Sequence, residues 1–367
     1  MKIGYEAKRV FHNSSGLGNY SRNLIRAMAE NYSANDYYLY NPSAGKIPFG
    51  KEYENIHEIQ SGYSNPLMAN LWRQALIPKK AFNDKIDVFH GLSHELPVGL
   101  HKKEIPSVVT IHDLIFIHKP ELYNPVDRKI YTLKVNAACE QATQIVAASI
   151  QTKKHLIKYL EVPDEKIQVV YQSCDPVFWA NHSEEEINKT IEKHKLPNEF
   201  VLFVGTLEER KNVDKLVEAC QKLKLPLVLI GRQTDFWKKV NSKIKLPELI
   251  FTPKVPDNVE LAHIYKAAKI FVYPSYFEGF GIPVLEAQAC GTPVITSDKS
   301  SLPEVAGPDS ILVDPMSESE ILNAIRMVWE SDGLRKKMTE NSLKFASENF
   351  KDDVLSSQWQ KIYSSIL

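Results

Sequence analysis

Short, unbroken apolar runs recur along this chain, and nearly every one leads into a stretch with helical periodicity. In the first half the runs are KIGYEA (2–7), YYLY (37–40), DVFHG (87–91), SVVTI (107–111), TQIVAAS (143–149) and KIQVVY (166–171). In the second half they are EFVLFVG (199–205), PLVLIG (226–231), KIFVYPS (269–275) and TPVITS (292–297). Runs this short are strands rather than helices, and strands apolar on both faces belong in parallel sheets covered on each side. The intervening helices supply that cover: 19–30 with Leu24, Ile25 and Met28 on one stripe, then 125–142, 150–160, 209–223, 257–268 and 282–290. Three further helices follow at 317–331, 333–348 and 351–366.

The pattern runs, breaks and restarts. The break is SCDPVFWANHSEEEINKTIEKHKLPNE (173–199), polar and punctuated by proline, which reads as a link between domains. The expected fold is therefore α/β, with two Rossmann-like doubly wound domains facing a central cleft. Residues 1–175 form the first domain and 176–350 the second, and the helix 351–367 is expected to pack back on the first.

Composition narrows the function classes. Forty-five basic residues balance 45 acidic ones, so total charge points to no nucleic-acid partner. The four cysteines, Cys139, Cys174, Cys220 and Cys290, have neither metal-ligand nor redox spacing and read as buried thiols of a reducing cytoplasm. The N-terminus lacks the apolar core of a signal peptide, and no run approaches the length of a membrane span. A cytoplasmic protein is expected, with peripheral contact at the inner face of a membrane as an open variant. NLWRQALIPKK (70–80) mixes Trp72 and Leu76 with Arg73, Lys79 and Lys80 and could rest on anionic lipid. An ordinary amphipathic helix against the first domain is the favoured reading.

The segment FEGFGIPVLEAQACG (277–291) carries the chemistry. It places Glu278 in a glycine-rich loop and Glu286 in the helix that follows. Pro283 suits the first helical turn and Gly291 the stop. A strand-to-helix loop of this kind lies at the carboxyl edge of a sheet, and the helix N-terminus offers unpaired N–H groups to phosphate. Carboxylates on either side of a phosphate can each accept hydrogen bonds from a vicinal diol, which describes a sugar nucleotide. Arg210 and Lys211 are read at the start of a helix, where their charge opposes the dipole; a bound anion would account for them. GLGNYS (16–21) is no dinucleotide fingerprint, because Ser21 replaces the third glycine and the strand ends too early. It reads as a flexible loop on the acceptor side.

PSYFEGFGIPVLEAQACGTPVITSDKSSLPEVAG (274–307) resembles the donor-binding signature of retaining GT-B glycosyltransferases of family 4. FVGTLEERKNVDKLVEA (203–219) resembles the phosphate-clamp loop of that family, and VVTIHDL (108–114) and GLGNYSRNL (16–24) its N-domain motifs. The resemblance implies that Glu278 holds hydroxyls near C3 and C4 of the transferred sugar. It implies backbone N–H groups of Gly279, Phe280 and Gly281 on sugar and phosphate, and Glu286 on the ribose. Lys211 would contact the diphosphate with Arg210 beside it, and His112 would lie near the C6 hydroxyl. Gly16 and Gly18 would let their loop approach diphosphate and acceptor, and main chain near Lys254 and Val255 would meet the base. Glu278, His112 and Lys211 are the candidate catalytic residues.

One departure is that Thr206, not arginine, follows Gly205, and GTLEERKN resembles a subgroup that includes mannosyltransferases of polysaccharide assembly. The implied enzyme is a retaining hexosyltransferase that moves mannose from GDP-mannose to a glycan or lipid-linked acceptor in cell-surface polysaccharide synthesis. A UDP-glucose or UDP-hexosamine donor is the alternative, and no cofactor or metal is expected. An epimerase or phosphorylase of the same architecture, a two-acid glycoside hydrolase and a non-catalytic nucleotide-binding subunit are the rival readings.

Overall fold

The computed structural model describes residues 1–367, which form two compact α/β units. One comprises Met1–Ser173 together with Lys351–Leu367, the other Cys174–Phe350.

The first unit is built on seven parallel strands: β1 (Lys2–Glu6), β2 (Asp36–Asn41), β3 (Ile56–Gln60), β4 (Val88–Gly91), β5 (Ser107–Ile111), β6 (Gln144–Ala147) and β7 (Ile167–Val169). Their order is β3-β2-β1-β4-β5-β6-β7, so the direction of winding reverses between β1 and β4. The strands β4 and β5 are buried at every position, which the unbroken apolar pattern demands of a sheet covered on both faces. Strand β3, IHEIQ, escapes a reading by apolar run because it is an edge strand with polar residues facing out.

The C-terminal helix Asp352–Ser365 completes this unit. Trp359, Ile362 and Tyr363 join a core cluster with Ile3, Tyr5, Tyr37 and Val88. The Tyr363 hydroxyl lies 2.8 Å from His90 Nδ1, and Asp352 pairs with Arg26 at 2.6 Å. Fully burying side chains of this size contributes about 1.5–3 kcal/mol each, enough to hold a helix so remote in sequence.

The second unit has six parallel strands: β8 (Val201–Val204), β9 (Leu227–Ile230), β10 (Ile250–Phe251), β11 (Ile270–Tyr273), β12 (Val294–Ser297) and β13 (Ile311–Val313). Their order β10-β9-β8-β11-β12-β13 reverses between β8 and β11. The edge strands β10 and β13 are too short to register as apolar runs.

Two local readings change, and a third holds with wider bounds. The polar stretch 173–199 is not a free link: Ser183 and Glu186 form a capping box that starts helix Glu184–Lys193. That helix docks on helix Asn258–Ala267 of the second unit through Thr190 Oγ1 and His263 Nδ1, 2.7 Å apart. The expected loop up to Gly18 is instead a short helix, Lys8–His12, followed by helix Gly16–Asn31. Segment 70–80 belongs to a longer helix, Pro66–Leu71 continuing through a wider π-helical turn Trp72–Leu76 into Ile77–Asn83. Trp72, Ile77 and Ala81 face the core of the first unit, as the amphipathic reading requires.

Candidate active site

In an open α/β sheet the ligand crevice forms where the strand order reverses, outside the carboxyl ends of the two strands that flank the reversal. In the second unit those strands are β8 and β11. The loop after β8 carries Arg210 and Lys211, and the loop after β11 carries Glu278.

The loops are tied to each other before any side-chain charge is considered. Tyr276 N–H donates to the Arg210 carbonyl at 2.9 Å. Asn212, in the left-handed region at φ +57°, accepts from the Tyr276 hydroxyl at 2.8 Å and donates to the Pro315 carbonyl at 2.8 Å. That left-handed residue also separates Arg210 and Lys211, which sit in a 3-10 turn, from helix Val213–Leu223. The two cations therefore do not open the helix.

Their anion is Glu278. Lys211 Nζ lies 2.8 Å and Arg210 Nη1 3.0 Å from Glu278 Oε1, and the Tyr273 hydroxyl donates to the same oxygen at 3.1 Å. Lys211 also bonds the Tyr273 hydroxyl, and Arg210 the Phe277 carbonyl. Glu208 takes the other face of Arg210 at 2.7 Å. All of the Glu278 contacts fall on Oε1, and Oε2 takes none of them. The backbone of Glu278 is fixed as well, its N–H donating to Ser300 Oγ at 3.1 Å and its carbonyl accepting from Ser301 Oγ at 3.0 Å.

Lys211 and Glu278 are each only 8% exposed. Burial by itself would raise the Glu278 carboxyl, but the charges of Arg210 and Lys211 outweigh it and hold its pKa at about 2. Burial lowers the Lys211 ammonium, Glu278 opposes that shift and Arg210 adds to it. The cluster is thus an ionised carboxylate shared by two cations, with Glu208 as the second anion on Arg210.

Past Glu278 the chain runs through Gly279 and Phe280 to Gly281, the N-cap of helix Ile282–Ala289. Gly281 holds φ +116°, and a Cβ there would stand 2.8 Å from Leu302 Cδ2. In the first turn Pro283 has no N–H and the Val284 N–H donates to the Gly281 carbonyl at 2.9 Å, which leaves the Ile282 N–H without a partner in the helix. Glu286 lies farther along that helix, partly buried, and accepts from the Tyr265 hydroxyl at 2.9 Å. Burial raises its pKa to about 7, the Tyr265 hydrogen bond opposing and the Asp175 carboxylate adding. Val255 is partly exposed in the connection between β10 and helix Asn258–Ala267. Glu286 and Val255 make no contact with the Lys211–Glu278 cluster.

His112 belongs to the first unit and is 4% exposed at the end of β5. Its Nε2–H donates to the Leu92 carbonyl at 2.9 Å, and its Nδ1 accepts from the Gln172 amide at 3.1 Å. Both ring nitrogens are occupied, and burial together with neighbouring His94 lowers its pKa to about 3. A sugar hydroxyl could reach this ring only by displacing a partner.

Gly18 has a purely local reason to be glycine: a Cβ there would lie 1.8 Å from the Asn13 carbonyl oxygen. Gly16 is exposed, with nothing within 4 Å of such a Cβ. Beside them, where β1 and β4 mark the strand-order reversal, is a pocket of about 220 Å³ lined among others by Arg9, Leu17, His94, Glu95, Asp113 and Tyr131. The motif reading overlooked His94, whose Nε2 accepts the His112 backbone N–H at 2.8 Å. It also overlooked Glu95, held by Arg73 at 2.9 Å and Lys134 at 3.0 Å. Their one signal is position, just after the apolar run 87–91.

Residues 14–178 match the Glycosyltransferase Family 4 domain, and residues 183–345 match the Glycosyl transferases group 1 domain. The chain belongs to these glycosyltransferase families. The O-antigen chain mannosyltransferase B of Escherichia coli is 29% identical to this glycosyltransferase, over 95% of the chain and 96% of that protein. Among solved structures, Alr3699/HepE of Anabaena in complex with UDP and glucose aligns with TM-score 0.78 at 18% identity, covering all of both chains. Sucrose-phosphate synthase of Thermosynechococcus elongatus aligns with TM-score 0.80 at 20% identity, over 100% of this glycosyltransferase and 98% of that chain. These likenesses establish the GT-B fold for the glycosyltransferase, with its two parallel-sheet units.

Proposed function

We propose that this chain is a retaining hexosyltransferase that moves mannose from GDP-mannose to a glycan or lipid-linked acceptor in cell-surface polysaccharide synthesis. The observation that carries the reading is the Arg210–Lys211–Glu278 cluster at the reversal point of the second sheet, next to a helix N-terminus. The choice of mannose rests on the similarity to an O-antigen chain mannosyltransferase.

In this reading Glu278 Oε2 accepts from hydroxyls of the transferred sugar while Oε1 stays locked to the cations. Lys211, with Arg210 behind it, faces the diphosphate together with the N–H groups of Gly279, Phe280 and Gly281. Departure of the nucleoside diphosphate concentrates negative charge, and fixed cations and N–H dipoles lower that barrier with no metal in the chemical step. Glu286 accepts from the ribose diol, and the main chain at Val255 meets the base. His112 is assigned to positioning near the C6 hydroxyl, supporting His94 through its backbone. The pocket beside Gly16 and Gly18 is assigned to the acceptor, where Tyr131 and Phe116 offer ring faces and Glu95 and Asp113 hydroxyl acceptors.

No helix is long and apolar enough to cross a membrane. Leu67, Leu71 and Phe82 are exposed on the Pro66–Asn83 helix, which also carries Lys79 and Lys80. Peripheral contact with the inner membrane face, where a lipid-linked acceptor would be presented, is part of the proposal.

A UDP-sugar donor is the second reading, favoured by the likeness to HepE, which was solved with UDP and glucose. The deciding experiment is thermal-shift screening with GDP, UDP, GDP-mannose, UDP-glucose and a UDP-hexosamine, followed by product analysis with donor alone. Stabilisation by GDP and GDP-mannose with slow release of free mannose supports the reading. Stabilisation by the uridine set alone transfers the assignment to the second donor, and no response to any nucleotide removes it.

A further inference from the structure

Away from the Lys211–Glu278 crevice, three side chains of the second unit converge on one point. His182 precedes helix Glu184–Lys193, Glu186 lies in its first turn, and His263 stands on helix Asn258–Ala267. Their potential ligating atoms all lie within 4.8 Å of one another, and His182 Nδ1 is 3.1 Å from His263 Nε2.

The groups on the far side of each ring limit what those facing nitrogens carry. His182 Nε2 is 2.9 Å from the Val177 carbonyl, which can only accept, so the proton sits on Nε2 and Nδ1 is a bare lone pair. The Thr190 hydroxyl has one proton and two acceptors in reach, the Glu186 carbonyl at 3.1 Å and His263 Nδ1 at 2.7 Å. With that proton on the carbonyl, His263 carries its own on Nδ1 and Nε2 is a second lone pair; with it on Nδ1, His263 Nε2–H donates to His182 Nδ1. In the first tautomer the two lone pairs lie 3.1 Å apart, and His263 is too buried, at 5% exposure, to turn its nitrogen to water. A cation bound by both nitrogens, off the line that joins them, selects this tautomer and removes the repulsion.

The spacing suits zinc. Tetrahedral Zn²⁺ with bonds of about 2.0–2.1 Å holds its nitrogen ligands roughly 3.3 Å apart. Glu186 Oε2 accepts from the Ser183 N–H at 2.9 Å and hydroxyl at 2.8 Å, which leaves Oε1 for a metal. Glu186 is exposed, so its side chain can close the remaining distance, and Glu184 and Glu185 add negative charge. A carbonyl behind one histidine and a hydroxyl behind the other form the outer shell that orients metal-bound imidazoles. We propose that His182, Glu186 and His263 bind zinc, with water as fourth ligand, and clamp helix Glu184–Lys193 onto helix Asn258–Ala267. No sequence spacing announces the site, because 81 residues separate the two histidines. The proposal is independent of the donor assignment.

The full-length protein, stripped by chelator and dialysed, is titrated with Zn²⁺ alone in competition with a chromogenic chelator, and with Co²⁺ followed by visible absorption. One equivalent should bind with Kd of about 10 μM or tighter, with tetrahedral Co²⁺ bands and a higher Tm. His182→Asn, at a partly exposed position, should weaken binding at least about tenfold and abolish the Co²⁺ bands. Glu186→Gln keeps an oxygen for the Ser183 cap, and should also lose affinity with helix content intact by circular dichroism. Binding weaker than that limit in the native protein, or affinity unchanged in His182→Asn, overturns the proposal. The rings would then share a proton instead.

Discussion

Lys211 Nζ lies 2.8 Å from Glu278 Oε1, although 67 residues separate them in the chain. Two loops from neighbouring strands bring them together, and each loop would leave a buried charge uncompensated without the other. Removing one partner of a buried pair typically costs about 3–5 kcal/mol, far more than the pair itself contributes.

Glu278→Ala should therefore nearly abolish transfer while leaving nucleoside-diphosphate binding in place, measured by turnover and calorimetry. It should also lower Tm, and the diphosphate should recover part of that loss by supplying the missing anion. The Tm increment on adding GDP is then larger in the variant than in the native protein. Native turnover in Glu278→Ala would refute the role assigned to this carboxylate.

Lys211→Ala removes the cation proposed to face the diphosphate. A charge-assisted contact of this kind contributes about 1.5–3 kcal/mol, so affinity for GDP should fall at least about tenfold. Equal calorimetric affinities in the two proteins would contradict the assignment.

Glu286 gives a pH signature. Its folded pKa of about 7 lies above the ordinary 4.5. A raised pKa means that its contribution is complete below pH 4.5 and is lost as pH rises through 7. Glu286→Gln should thus match the native protein in stability near pH 4.5 and exceed it near pH 8, by about 1–3 kcal/mol after allowance for partial exposure. Parallel Tm curves across that range would remove the burial argument.

Gly16 and Gly18 separate by substitution. Gly18→Ala forces a Cβ onto the Asn13 carbonyl oxygen and should lower Tm by several degrees, a loss of about 1–3 kcal/mol. Gly16→Ala meets open space and should change stability by less than about 1 kcal/mol. A reversed order in differential scanning calorimetry would show that the turn is not held as described.

The chemical step should need no divalent ion. His182→Asn, which lacks the proposed zinc site, allows a clean test: chelator should leave its transfer rate within about twofold if charge stabilisation comes from protein groups as proposed. Activity lost to chelator and restored by magnesium would place a metal in the reaction.

Much of this molecule was legible in its sequence because the strands β4, β5, β6, β8, β9, β11 and β12 are buried on both sides. A strand of that kind is mostly apolar, with the few polar side chains such as His90 and Thr110 hydrogen-bonded, and the pattern survives in one dimension. The edge strands β3, β10 and β13 escaped because solvent on one side permits polar residues or very short pairing. Segment 173–199 misled for a related reason: a helix docked by one face reads as polar when most of its surface is wet, as Glu184–Lys193 is. Gly18 misled because a glycine required by one carbonyl contact looks the same as a glycine in a mobile loop.

By itself the sequence determined the two runs of parallel strands and the glycine-rich loop with its two acids, since apolar periodicity and residue chemistry are local properties. Only the tertiary structure decided that Glu278 is the counter-ion of Arg210 and Lys211, that both nitrogens of His112 are occupied, and that His182 faces His263. Charge pairing, tautomer and protonation depend on groups within a few ångströms in space, and strand order, which no local pattern encodes, decides which groups those are.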